Sequence, residues 1–315
     1  MHIPSPRGKL SACVVDALRH QQAGQVDASF AESEEDAALS LWILHELSYS
    51  GFDGVDDALE WDVALVTLRL ELEAELEQRL RAGFPGPPPK TGEDLAQSFF
   101  DYVESHDGPS LASHVHTDGT DDQVLELLRW RSVYHLKETD PSTFALARLP
   151  RPARAALAEL LYDEYGAGRP ERLHSRLFAE ALRSVGLDPD RGYVDDVPLE
   201  VLEMNNTVTM FGLHRRLRGA AVGHLAAFEC TSSVPSRRLV RGLQRLDFPR
   251  PVIDYYEEHV LADAVHEQVA VRDIVVPLVA EDPGQLENVF LGAFACLEQE
   301  AQVARVLLDR WGVPA

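Results

Sequence analysis

Long stretches rich in Ala, Leu, Glu and Arg, cut at intervals by proline and glycine, leave this chain little to build with except helices. No segment alternates apolar and polar positions with β-branched residues for long enough to make a strand, so the fold class is all-α. Helices are predicted over 36–49, 56–82, 92–105, 121–139, 151–165, 170–185, 198–230, 236–246, 250–272 and 284–311. Their separators include Asp140-Pro141, Thr231–Pro235 and Asp282-Pro283-Gly284. The run Gly83-Phe84-Pro85-Gly86-Pro87-Pro88-Pro89 is the sharpest internal break. Residues 1–34 are expected to be a flexible tail, 35–120 to form accessory N-terminal helices and 121–315 to form the core.

Composition narrows the choice of partners. The 29 basic residues against 52 acidic ones give a net charge of −23, which repels nucleic acid and an anionic membrane face alike. No apolar run reaches the length of a spanning helix, and no apolar segment follows the charged N-terminus as a signal would require. Cys13, Cys230 and Cys296 are odd in number and far apart, a usage that fits reduced thiols and a cytoplasmic location.

The chemistry is concentrated on the predicted helix at 250–272. His259, Asp263 and His266 stand at i, i+4 and i+7 and fall within an arc of roughly 60°. Val252, Tyr255, Tyr256, Ala262, Val269 and Ala270 share that half of the helix, while Asp254, Glu257, Glu258 and Gln268 take the other. A carboxylate on an apolar face costs several kcal/mol, of order, unless something compensates it. A metal ion is the simplest candidate, and a hydrogen-bonded Asp–His pair in a core is the bland one. Four more helices repeat the anomaly. Glu138 continues the stripe of Val124, Leu127 and Tyr134. Glu164 follows Leu157, Leu160 and Leu161. His174 shares a face with Leu177, Phe178 and Ala181, and Glu229 with Val222, Leu225 and Ala226. Four carboxylates and three imidazoles directed inward, with no thiolate, are the donor mix of an iron or manganese pair. A ferritin-like alternative would use Glu171-x-x-His174 and Asp263-x-x-His266, but Glu171 follows Pro170 in a first turn, where an acid suits the helix dipole anyway.

In order, Glu138, Glu164, His174, Glu229 and His259-x3-Asp263-x2-His266 resemble the ligand series of the haem-oxygenase-like di-iron oxidases and oxygenases, also called iron-containing redox enzymes. The resemblance covers about 120–315. It implies a haem-oxygenase-like helical bundle and two Fe(II) ions, or Mn in their place, with O2 as co-substrate. It also implies a small-molecule substrate, an amino acid, an amino-acid derivative or a fatty acid, with an amino-acid-like one expected, undergoing N-oxygenation, desaturation or carbon–carbon cleavage. An external electron donor, a reductase or ferredoxin, would supply repeated turnovers. One carboxylate is expected to bridge the metals, Glu229 or Glu138.

Two other classes compete with this reading: a haem-binding protein of the same fold, and a non-catalytic helical protein with a structural metal or polar network. The small-residue segment Arg218–Ala227 suits tight helix packing or a ligand surface equally. Arg215, Arg216 and Arg218, with Arg237 and Arg238, are expected mostly to pair with surface acids, one of them alternatively holding a substrate carboxylate. His45, His114 and His116 read as loop or packing residues, and Trp42, Trp61, Trp130 and Trp311 as core. The N-terminal helices would cover the bundle or form a homodimer contact.

Overall fold

The computed structural model describes residues 1–315 except 23, 25, 89–93, 191 and 315, and except the side chains of 261–264. Among the described residues there is no strand. In chain order the helices are α1 (Lys9–His20), α2 (Glu34–Glu46), α3 (Val63–Gly83), α4 (Leu95–Glu104), α5 (Leu111–Thr117), α6 (Asp121–His135) and α7 (Asp140–Leu146). They continue with α8 (Arg151–Glu164), α9 (His174–Ser184), α10 (Leu199–Leu213), α11 (Arg218–Arg245), α12 (Arg250–Gln268), α13 (Val276–Glu281) and α14 (Leu286–Arg310), and a π-helical stretch, Val269–Val275, joins α12 to α13.

The chain divides into one compact unit of Met1–Gly83 with Asp190–Met210 and a second of Phe84–Pro189 with Phe211–Ala315. The division falls inside the Pro/Gly run rather than at residue 120, so α4 and α5 belong with the second unit. In the first unit, the expected flexible tail is instead a helix. Leu10, Val14, Val15 and Leu18 of α1 are buried along one face. The buried Asp36 carboxylate accepts from the backbone N–H groups of Leu10 (3.0 Å) and Ser11 (2.8 Å). A negative charge at a helix N-terminus satisfies orphan donors and opposes the positive dipole end. The cap lies 25 residues downstream of Ser11, outside any local sequence signal. His45 is buried in the same unit, its Nε2 at 2.8 Å from Glu73 Oε1 and its Nδ1 at 3.2 Å from Asn206 Oδ1. Trp42 is core as expected, whereas Trp61 is 71 % exposed.

The second unit is built around α11, which packs on α12, α14 and α5. Its core includes Phe99, Leu157, Leu160, Ala226, Val271, Ile274 and Phe290. The small residues of α11 serve helix packing. A Cβ at Gly223 would collide with the Val289 carbonyl of α14, and one at Gly292 with the Ala220 carbonyl of α11. The helix expected over 198–230 breaks after Leu213, and α11 then runs straight through Pro235 to Arg245. Packing on two neighbours overrides the proline, which removes one N–H from the ladder. The expected 106–120 loop contains α5, with Ser110 Oγ accepting from the Ser113 N–H at its start. Arg218 pairs with Asp282, as expected of the basic cluster.

Candidate metal centre

Six of the seven residues singled out by sequence converge in the second unit. Glu138, His174 and His259 form one group; Glu164, Glu229 and His266 form another. Within each group, one ligand atom from every residue lies within 4.8 Å of the others. All six are buried, at most 6 % exposed. The side chain of Asp263, the seventh, lies outside the described residues.

The elements that present them differ in part from expectation. Helix α6 stops at His135, so Glu138 stands in the turn between α6 and α7, not on a helix. Glu164 is the last residue of α8, and His174 the first of α9. Glu229 is mid-α11, and His259 and His266 share one face of α12, as the seven-residue spacing requires. Glu171 is exposed, which removes the Glu-x-x-His alternative at 171–174.

Around the first group, His259 Nδ1 lies 2.8 Å from the Tyr255 carbonyl. A carbonyl only accepts, so Nδ1 carries the hydrogen and the Nε2 lone pair is left on the side of Glu138, whose Oε1 is 3.5 Å away. That is the tautomer a metal needs. Glu138 itself is gripped at both oxygens. His135 Nδ1 lies 3.0 Å from Oε1, and the Tyr255 hydroxyl donates to Oε2 at 2.8 Å. Burial pushes the Glu138 carboxyl up, but His135 and His259 outweigh it and hold it well below the usual range.

Glu164 lies between the groups. Its Oε2 is 2.9 Å from His174 Nδ1 and accepts from the Thr139 hydroxyl at 3.0 Å, while its Oε1 is 3.2 Å from His266 Nδ1. His266 Nδ1 is also 3.6 Å from Glu229 Oε2. Burial acts against the Glu164 charge, yet His174 and His266 bring its carboxyl down to about 2. Glu229 goes the other way, raised by burial and by the Glu164 charge. Burial disfavours a charged His266, but Glu164 and Glu229 overcome this and raise it to about 11.

The Nδ1 atoms of His174 and His266 are buried and make no hydrogen bond, although carboxylate oxygens stand close to both. Near approach without hydrogen-bond geometry is what a cation between imidazole and carboxylate would leave. The donors are hard oxygens and imidazoles, the set that suits iron or manganese. The nearby thiols do not compete, since burial pushes Cys230 up to about 12 and holds Cys296 well above the usual thiol range.

A family model described as iron-containing redox enzyme matches residues 125–301, more than half of the chain and every residue of both groups. The chain belongs to that family. This iron-containing redox enzyme therefore has the haem-oxygenase-like, all-α fold expected from its sequence. It is also similar to the nitrosourea synthase of Streptomyces achromogenes subsp. streptozoticus, with 28 % identity over 197 residues. That match takes in 60 % of this chain and 42 % of the relative, so the chain spans about two fifths of the length of that protein.

A cavity of about 680 Å³ borders the first group. His259, His135 and Tyr255 form part of its wall, with Leu127, Phe228 and Leu297. Sequence reasoning missed Tyr255 and His135 as partners of Glu138. The signal was available for His135, three residues before Glu138 and able to fold back on it. Among the described residues, no helix is long and apolar enough to cross a membrane.

Proposed function

We propose that this chain is an O2-dependent non-haem di-iron oxidase or oxygenase acting on a small molecule, an amino acid or amino-acid derivative. One iron would be held by Glu138, His174 and His259, the other by Glu164, Glu229 and His266, with Asp263 completing the set. The single observation that supports two ions rather than one is the position of Glu164, whose two oxygens face imidazoles of different groups. Glu164 would therefore serve both positions in this reading, the part expected from the sequence of Glu229 or Glu138. Mn(II) suits the same donors.

When bound, the iron pair would supply the electrons that O2 cannot readily take from a spin-paired organic molecule. The protein's part is positional. Tyr255 and His135 fix the orientation of Glu138, and Thr139 that of Glu164. The Tyr255 carbonyl sets the His259 tautomer. The cavity brings a substrate against the His259 side of the centre, along a wall that includes Leu127, Phe228 and Leu297. An external reductase or ferredoxin would return electrons between turnovers. The relative is named for making a nitrosourea, in which a nitrogen is oxidised, and this favours N-oxygenation over desaturation or carbon–carbon cleavage.

A haem-binding protein would have to seat a porphyrin beside three buried carboxylates, an unfavourable neighbourhood for a macrocycle. Anaerobic titration with Fe(II), followed by O2, separates the readings. Uptake of two irons and an O2-dependent transient visible absorption support this proposal. A Soret band on adding haem, or uptake of neither, would overturn it.

A further inference from the structure

The cavity wall carries one ion pair that the metal centre does not use, and it bears on what enters, given the reading of the adjoining residues as an oxidising centre. Arg131 of α6 and Glu300 of α14 face each other with both nitrogens of the guanidinium fork on both carboxylate oxygens, at 2.6 and 2.7 Å. Both line the cavity, among Leu127, Cys296, Ala301 and Ala304. A guanidinium has five N–H donors. Glu300 takes two, and among the described residues the other three have no protein acceptor. Glu300 likewise keeps lone pairs that Arg131 does not use. The other charged groups of the cavity, Glu104 and Arg238, are exposed, and Arg238 is engaged with the Ser113 hydroxyl at 3.0 Å.

A half-buried pair with spare donors on one partner and spare acceptors on the other is complementary to a molecule that carries both charges. We propose that Arg131 and Glu300 form the receptor for the α-carboxylate and α-ammonium of an amino-acid substrate. Arg131 offers a second N–H edge to the carboxylate, and the Glu300 carboxylate takes the ammonium. Arg131 precedes His135 by one helical turn on α6, and the His135 ring in turn lies 3.0 Å from Glu138, so a head group held at Arg131 shares the cavity wall with a direct partner of the first group.

The test is calorimetric titration of the full chain under anaerobic conditions, with Fe(II) added and omitted, against four probes of equal chain length: L-norleucine, L-lysine, hexanoate and hexylamine. Both amino acids should bind at least about tenfold more tightly than either singly charged probe, because a receptor built for two charges penalises the loss of one. The double variant Arg131→Met with Glu300→Met removes both charges together, so neither is left without its partner. It should erase that preference and leave iron uptake unchanged. Should the double variant not fold, Arg131→Lys keeps the charge but loses the fork, and should weaken both amino acids and hexanoate by about tenfold while sparing hexylamine. Equal binding of norleucine and hexanoate, or a preference that survives in these variants, would overturn the receptor. The two readings fail separately: two irons taken up without amino-acid preference defeats the receptor alone, and preference without iron uptake defeats the metal centre alone.

Discussion

Glu164 presents one carboxylate oxygen to His174 at 2.9 Å and the other to His266 at 3.2 Å, joining two groups of buried donors that come from five different parts of the chain. A side chain in that position couples the two halves of the centre. Replacing it by Ala should lower affinity at both positions by at least about 100-fold, the upper end of what even an outer partner of a ligand costs. Metal content after anaerobic loading and desalting checks this. Retention of two irons would remove Glu164 from the centre.

His266→Ala is the narrower counterpart. His266 belongs to the group of Glu164 and Glu229 alone, and its ring lies against both carboxylates. The variant should hold one iron and lose the second, read by the end point of an Fe(II) titration. Full occupancy would refute the assignment.

Metal uptake should depend on pH with a definite sign. The metal-free protein keeps a proton on His266, because the two carboxylates raise its pKa to about 11 from 6.5. Stability from that charged imidazole is fully present below pH 6.5 and is lost as pH rises through about 11. A metal must displace the proton, so affinity should rise about tenfold per pH unit through the neutral range for that one proton. Glu164, at about 2, adds nothing there, since it is already ionised. Its own contribution to stability is present above about 4.5 and lost as pH falls towards 2. Calorimetric Fe(II) titrations in buffers of different ionisation enthalpy count the protons released; none released would contradict the scheme.

Tyr255→Phe removes only the hydroxyl that donates to Glu138 Oε2, and the ring keeps its contacts with Phe178 and Tyr256. Fold and thermal stability should change little, whereas metal affinity or turnover should fall by about 10–100-fold. Parallel circular dichroism and iron titration separate the two effects. Unchanged affinity and turnover would show that the hydroxyl does not position Glu138.

Gly223→Ala tests the scaffold. The added methyl would strike the Val289 carbonyl, backbone that cannot rotate away. Destabilisation of about 1–3 kcal/mol is expected from overpacking at such a contact. Denaturant unfolding measures it, and a neutral result would mean that α11 and α14 separate more easily than their close approach implies.

The stripe on α12 was legible because period is local: His259 and His266 need only helical geometry to share a face. Burial separated Glu164 from Glu171, and only their apolar or polar neighbours hinted at it. Glu138 was found by its place after an apolar stripe, but the turn that carries it was not, since α6 ends three residues earlier. Helix α1 went unread because its cap is Asp36, a distant residue. Arg131 and Glu300 look like surface charges in sequence, and only the packing of α6 and α14 brings them together on a cavity wall. Pro235 misled because tertiary contacts along α11 outweigh one missing hydrogen bond.

In the proposed reading, buried carboxylates and imidazoles on either side of Glu164 hold two metal ions. Its most direct test is the stoichiometry of Fe(II) bound by the full chain under anaerobic conditions, measured by titration together with elemental analysis. Two irons per chain are expected in the native protein and one in His266→Ala. A native stoichiometry of one or none would contradict that reading.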